Sequence, residues 1–528
     1  MADYDVIIIG GNTPALVTAS YLAKDAGLKV AILERSKWIG GTAMTVEMKP
    51  GYKFSPAATG EFYVHPKVNH DLELTTKFGL TEIGCNPTLT TTFGDGNYLR
   101  IFPNPADTAQ EFARFSQHDA EAFGEFMKNW GAVGMMFGLE QMNEAPKMSQ
   151  FISAMSSSPD MERMCRDMLF GTPRDILDNY FENDYVKASF LTLMEGSTAG
   201  PSDAPFFFCL GRMLHPWGFI KGGLKEVSRS LEECALSYGV EIIREAEVKK
   251  ILVKNGEAYG VQTADGQQYT AAVAVISEIE WPHTFNNFLE PDEFEALPAS
   301  LKRGLDEIKY ECGGVTLNVA LDALPDFGFP EECYGGFFGM TEPGFQYAEE
   351  AFAEYKCGRL PKNMLSMSYI PTYYEEPGTF APEGHHVLTG YAFPVKGTLY
   401  GREWDAEAKA ELIENWIDTL DRFAPGLKGH VLYADGYTPK ELDEHFVMTN
   451  GDLGHGTLRW YSEFNWRPIP GYANYRTPIK SLYMGGQSVH PLSGVGGVAG
   501  FNVARAIIAD KGVKAAETSD AEQFKDRW

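Results

Sequence analysis

Near its start the chain reads Tyr4-Asp5-Val6-Ile7-Ile8-Ile9-Gly10-Gly11, a short polar turn, Leu16-Val17-Thr18-Ala19-Ser20-Tyr21-Leu22, and then Val30-Ala31-Ile32-Leu33-Glu34-Arg35. An unbroken run such as Val6 to Ile9 does not suit a strand with one wet face. It belongs in a parallel sheet covered on both sides. The glycines after it allow a tight turn into a helix, and the second apolar run returns beside the first, which makes a βαβ unit. The fold class this predicts is α/β with a Rossmann-like sheet.

Such a unit offers a place for a dinucleotide. A pyrophosphate sits on the helix N-terminus, where free N–H groups and the helix dipole favour anions. Glu34, 24 residues after Gly10, stands near the roughly 20-residue spacing at which an acid accepts from a ribose hydroxyl. The turn Gly10-Gly11-Asn12-Thr13-Pro14-Ala15 departs from G-x-G-x-x-G. Asn12 takes the second glycine position, and Ala15 keeps the third small for helix–strand packing. Read alone, it serves equally as a tight turn without a ligand.

Further glycines extend the case. Gly40-Gly41-Thr42 and Pro50-Gly51-Tyr52-Lys53-Phe54 follow Glu34 closely, as FAD, longer than NAD, requires. Towards the other end, Ser481 to Gly486 reads as a short strand, and Gly494 to Gly500 opens a helix running to Ile508. A glycine-lined helix N-terminus suits the electron-rich edge of a reduced flavin. A turn packing Gly against a sheet is the alternative for that segment.

Taken together, these segments resemble the phytoene dehydrogenase-like FAD-dependent oxidoreductases, the carotenoid desaturase and isomerase superfamily related to amine oxidases. The resemblance spans nearly the whole chain. It includes Leu33-Glu34-Arg35, Gly40-Gly41, Pro50-Gly51-Tyr52, the segment Trp217 to Leu224, and the strands around Val248 and Ala274 to Ser277. Its most specific part is Gly451 to Gly456, Arg467-Pro468, Tyr475 to Ile479, Leu482-Tyr483 and His490-Pro491. The fold it implies is a discontinuous Rossmann-like FAD-binding domain with an inserted α+β substrate domain and a helical insertion. The cofactor residues it implies are Gly10, Gly11, Asn12, Pro14, Ala15, Glu34, Arg35, Gly40, Gly41, Thr42, Val248, Gly486, Gly496, Gly497 and Val498. The chain departs from the family at Leu492-Ser493, Ser462 and Ser55, which implies retained FAD binding with an altered substrate pocket.

The 528 residues call for more than one domain. The expected division gives residues 1–100, 215–285 and 440–528 to FAD, and 101–214 and 286–439 to a substrate-binding cap. Within the cap, 101–214 reads as helical and methionine-rich, while 286–439 mixes strands such as Val315 to Val319 with an amphipathic helix, Ala406 to Phe423.

A net charge of −27 argues against nucleic acid. Seven scattered cysteines without C-x-x-C spacing point to reduced thiols and a cytoplasmic location. No basic leader and no long apolar run is found, so neither a signal peptide nor a membrane-spanning helix is expected; peripheral membrane contact is left open. His385-His386 has no metal-ligand company, so no metal is assigned. FAD is expected to be non-covalent, since no Cys follows Cys357.

Three residues are candidates for chemistry. His490, between the Gly485-Gly486 strand end and the glycine-led helix, is the candidate acid/base. Arg467 is a candidate anchor for a carboxylate or a charged flavin, and Tyr461 a candidate proton acceptor. For each, a purely structural role stands beside the catalytic one. The leading function is dehydrogenation of a C–C bond in a hydrophobic isoprenoid or alicyclic substrate by hydride transfer to the flavin. The alternatives are amine or alcohol oxidation and redox-neutral isomerisation on reduced flavin. The electron acceptor is open among oxygen, a quinone and another protein, and so is the oligomeric state.

Overall fold

The computed structural model describes residues 2–58, 64–206, 218–459, 462–492 and 494–512. Two seven-stranded sheets organise them. The first begins with β1 (Tyr4–Ile9), whose residues from Val6 onwards are fully or nearly fully buried. It is flanked in parallel by β2 (Val30–Leu33) and the strand Gln268–Ser277, with Val6 opposite Val30 and Ile7 opposite Val275. The strand Glu241–Ile243 extends the sheet beyond β2, and Leu482–Met484 pairs in parallel with Gln268–Ser277. An antiparallel meander, Val248–Lys254 and Glu257–Thr263, completes it. The arrangement is the Rossmann-like α/β sheet that the apolar runs predict.

Helix α1 (Thr13–Ala26) covers one side of this sheet and packs against the helix Val498–Asp510. Glycine makes their approach close. A Cβ on Gly500 would lie 2.4 Å from the Pro14 carbonyl oxygen, and Thr18 Oγ1 donates to the Gly500 carbonyl at 3.2 Å.

In the second sheet the strands Val315–Leu321, Leu365–Tyr369, His386–Phe393 and Val431–Gly436 pair antiparallel. Phe337–Met340 joins them, and Leu89–Thr92 pairs with it in parallel, followed by Tyr98–Ile101. The helix Ala406–Phe423 buries Leu412, Trp416 and Leu420 on this sheet's core.

The two cores do not follow the division expected from sequence. Leu89–Thr92 lies before the expected border at residue 100 and Tyr98–Ile101 straddles it, yet both belong to the second sheet. Conversely, Leu297, Leu301 and Leu305 lie after residue 285 and pack into the core of the first. Leu442 and Met448, beyond 439, pack with the second. Side-chain partners decide these memberships, and a position along the chain does not specify partners. Helices dominate 105–189 as expected. Among the described residues no helix is long and apolar enough to cross a membrane. The cysteines Cys85, Cys165, Cys234, Cys312, Cys333 and Cys357 are all free thiols.

Candidate functional site

In an open parallel sheet the ligand crevice lies beyond the carboxyl ends of the strands. Here four ends converge: Gly10 after β1, Glu34 after β2, Glu278 after Gln268–Ser277, and Gly485-Gly486 after Leu482–Met484. Gly10 turns at φ +92°, a region costly for a side-chain-bearing residue. At Gly11 a Cβ would stand 2.2 Å from Ile39 Cδ1 and 3.2 Å from Glu34 Cβ, so a side chain there would require Ile39 to shift.

Glu34 is held by backbone. Gly11 N–H donates to its Oε2 and Ser36 N–H to its Oε1, both at 2.8 Å. Each carboxylate oxygen retains a lone pair for an outside donor, which suits a ribose hydroxyl. The neighbouring Arg35 turns elsewhere. Its Nη2 donates to the Glu444 and His445 carbonyls at the end of the helix Pro439–Phe446, where the dipole favours a cation. Val248 is buried at the head of its strand, just past Ala246, whose N–H donates to the Glu34 carbonyl at 2.9 Å.

The start of α1 differs from a bare anion site. Asn12 is its N-cap and accepts from Ala15 N–H through Oδ1 at 2.9 Å, while Leu16 N–H donates to the Asn12 carbonyl. Pro14, in the first turn, has no N–H. Of the donors that a helix N-terminus normally leaves free, the first turn therefore retains that of Thr13. Gly40 lies against this turn: its N–H donates to the Gly11 carbonyl at 2.6 Å, and a Cβ on Gly41 would be 3.1 Å from Asn12 Cβ. The Gly40-Gly41-Thr42 backbone thus runs beside the helix N-terminus, as a cofactor longer than one βαβ unit requires.

Glu278 escaped the sequence reading. It is 6 % exposed, and among the described residues neither carboxyl oxygen completes a hydrogen bond. Burial pushes its acid up to about 8, while the Asn12 side chain and the Gly486 N–H lean towards it and limit the rise. A Cβ on Gly485 would meet its Oε1 at 2.3 Å, and Asn12 Nδ2 lies 3.5 Å from its backbone carbonyl. Gln487 Oε1 is a second buried acceptor without a partner among the described residues. Unanswered polar groups inside a protein are rare and point to a missing ligand. Glu278 lies at a strand end of the crevice and Gln487 beside Gly494, ahead of the helix Val498–Asp510, and such polar groups fit a polar dinucleotide. The only cue in the sequence was an acid directly after a buried parallel strand, the same place Glu34 holds on β2.

At the C-terminal side, Gly486 turns at φ +79° against the Glu278 backbone. His490 follows, 5 % exposed, its carbonyl accepting from Tyr475 Oη at 3.2 Å. Gly497 caps the helix Val498–Asp510 at φ +77°, and the Gly496 carbonyl accepts from His65 N–H. A Cβ on Gly497 would press Val17 Cγ2 at 2.9 Å, so this glycine serves the packing of the helix on α1.

Arg467 is buried inside the loop 452–467. Its guanidinium donates to the Gly454 and Gly456 carbonyls and pairs with Glu463 at 3.3 Å. Burial pushes Glu463 up to about 7 against the pull of Arg467. Asp452 accepts from the Gly454 and Glu311 N–H groups, and burial nevertheless raises it to about 6. His455 Nδ1 lies 3.0 Å from Glu280 Oε1, and Thr449 also donates to that carboxylate. These contacts give Arg467 and His455 a structural task in the loop. Tyr461 lies outside the described residues.

The geometry agrees with what the chain resembles. The profile of the flavin containing amine oxidoreductases matches residues 16–309, more than half of the chain. A rat protein described as pyridine nucleotide-disulfide oxidoreductase domain-containing protein 2 (Rattus norvegicus) is 27% identical over 96% of this chain and 94% of its own length. A limonene dehydrogenase subunit of Castellaniella defragrans is 23% identical over 96% and 95%. A solved putrescine oxidase shares the fold with a TM-score of 0.60 and 15% identity, covering 96% of this chain and 98% of its own. With the strand ends, the glycine turn and Glu34 in place, the chain belongs to the flavin containing amine oxidoreductase family, whose cofactor is FAD.

Proposed function

We propose that this flavoprotein removes two hydrogens from a C–C bond of a hydrophobic isoprenoid or alicyclic substrate and holds FAD non-covalently. The observation that carries the reading is the neutral aromatic packing in the core around the second sheet. Phe219, on the strand Gly218–Ile220, stacks on Tyr374 with ring centroids 4.1 Å apart and touches Phe337 at 4.6 Å and Tyr369 at 5.4 Å. Burial pushes the Tyr374 phenol well above its ordinary value, so it stays neutral. Such rings bind hydrocarbon through apolar contact and give no counter-charge to an ammonium group. The full-length likeness to a limonene dehydrogenase subunit supports an alicyclic substrate.

When bound, FAD supplies the hydride acceptor. The protein's own part is to hold the nucleotide end through Glu34 and the Gly40-Gly41 backbone and to carry the departing proton. His490 is the proposed proton carrier, because it sits buried just beyond the strand end that closes the crevice. An electron acceptor such as oxygen or a quinone would be needed to restore the oxidised cofactor.

The test is anaerobic mixing of the purified protein with cyclic terpenoids, alicyclic ketones and amines, followed by flavin absorbance. Bleaching by terpenoids or alicyclic ketones, with flavin released on acid precipitation, is the expected result. Bleaching by amines alone would replace the proposal with amine oxidation, the chemistry in the putrescine oxidase name. Conversion of an alkene isomer without net bleaching would replace it with isomerisation.

A further inference from the structure

Two departures from a plain dinucleotide turn meet at one point in the crevice. At the first, Pro14 and the capped Ala15 N–H leave the start of α1 short of donors for an anion. At the second, 266 residues beyond Asn12, a carboxyl group is buried against the turn; the Asn12 amide and the Gly486 N–H lean towards it, and among the described residues neither oxygen completes a hydrogen bond. The group lies against Gly485-Gly486, where a Cβ on Gly485 would stand 2.3 Å from its Oε1, while a Cβ on Gly10 would lie 3.6 Å from its Cβ. Glycine at both 485 and 486 leaves space beside the two oxygens that any side chain there would fill.

Resting on the FAD reading, we infer that Glu278 binds the cofactor as a neutral acid, its O–H donating to a phosphate oxygen of the FAD bridge in place of the missing helix N–H groups. An ionised carboxylate at the same place would repel that dianionic bridge. Burial already holds the group neutral at pH 7, with its acid near 8.

The elements packed around it carry few competing charges. From β2 comes Glu34, whose oxygens are engaged by Gly11 and Ser36 N–H. From its own segment comes Glu280, tied to Thr449 and His455. From the segment after the last strand comes His490, with its carbonyl on Tyr475. Burial is the leading cause of the raised acid, and no charged neighbour is among its causes. Occupation by FAD therefore requires one proton on Glu278, and above its titration point the apoprotein must take that proton up.

The experiment is FAD titration of the apoprotein, read by flavin fluorescence between pH 7 and pH 9, for the wild type and Glu278→Gln. One linked proton with an acid near 8 weakens FAD binding about tenfold over that interval in the wild type. Glu278→Gln, which keeps an N–H donor and cannot ionise, is expected to bind with an affinity that stays flat across the interval. Calorimetry of the wild type at pH 9, in buffers of different ionisation enthalpy, is expected to show uptake of close to one proton per FAD. This second measurement stands even if the variant fails to fold. A wild type with flat affinity and no proton uptake, or a Glu278→Gln protein that keeps the wild-type slope, overturns the inference. Absence of FAD binding at every pH overturns the FAD reading itself and this inference with it.

Discussion

Asn12 answers two demands with one amide. Its Oδ1 caps α1 at Ala15 and its Nδ2 faces the Glu278 carbonyl. The cap withholds a donor from any anion at the helix end. Glycine at an N-cap is only a few tenths of a kcal/mol worse than Asn, so Asn12→Gly is expected to fold normally and free that donor. FAD affinity should then rise about threefold, the size of a single favourable contact at a helix N-terminus. Fluorescence titration checks it, and weaker binding would mean that the Asn12 amide itself holds the ligand.

A different acid sets a pH dependence of stability. Glu82 accepts from Val64 N–H at 3.1 Å and Asn69 Nδ2 at 3.3 Å, yet burial pushes it up to about 7. A carboxyl whose folded value is raised stabilises the fold fully below its unfolded value, and that contribution is lost as pH rises through the folded one. Stability should therefore fall between about pH 4.5 and pH 7 by an amount on the order of 3 kcal/mol. Glu82→Gln should flatten that segment of the profile, as measured by urea unfolding at stepped pH. Glu34 was legible in the sequence because a whole unit, strand, glycines, helix and strand, points to it. Glu278 and Glu82 were not, because a single acid shows its burial only once the chain around it is folded.

Among the elements, the contact of α1 with the helix Val498–Asp510 couples the two ends of the cofactor site. Gly500 faces the Pro14 carbonyl and Gly497 faces Val17. A larger side chain must push the helices apart, and overpacking of this kind costs about 1–3 kcal/mol. Gly500→Val is thus expected to lower Tm, seen by circular dichroism, and to release FAD on gel filtration, while the second sheet keeps its secondary structure. The parallel strands of the first sheet were readable because they are continuous apolar runs. Leu89–Thr92 was not read as part of the second sheet. Its residues Leu89-Thr90-Thr91-Thr92 are all buried, but three of the four are polar, and threonine favours strands without saying which sheet they join. In the same way, glycines at the head of Val498–Asp510 read as a flavin approach, and the structure shows that Gly497 and Gly500 also serve helix packing.

For the whole molecule, the charge of −27 is a standing self-repulsion that salt relieves. Raising NaCl from about 10 to 150 mM is expected to increase Tm by about 2 °C, corresponding to roughly 1 kcal/mol for a large protein. Scanning calorimetry checks it, and a Tm that falls with salt would mean that ion pairs such as Arg476 with Asp510 and Glu144 outweigh the repulsion. The discontinuous architecture was legible because cofactor motifs occur at both ends of the chain. The exact border between the two cores was not, since it depends on which distant leucines meet.

That architecture also fixes an order in time. The helix on which α1 rests, Val498–Asp510, is made hundreds of residues after α1 itself. At about 5–20 residues per second on the ribosome, Leu16, Val17 and their apolar neighbours wait tens of seconds for their cover. The contact that closes over α1 therefore forms only after Val498–Asp510 has been made, and the glycines at its head join the turn after β1 no earlier than that.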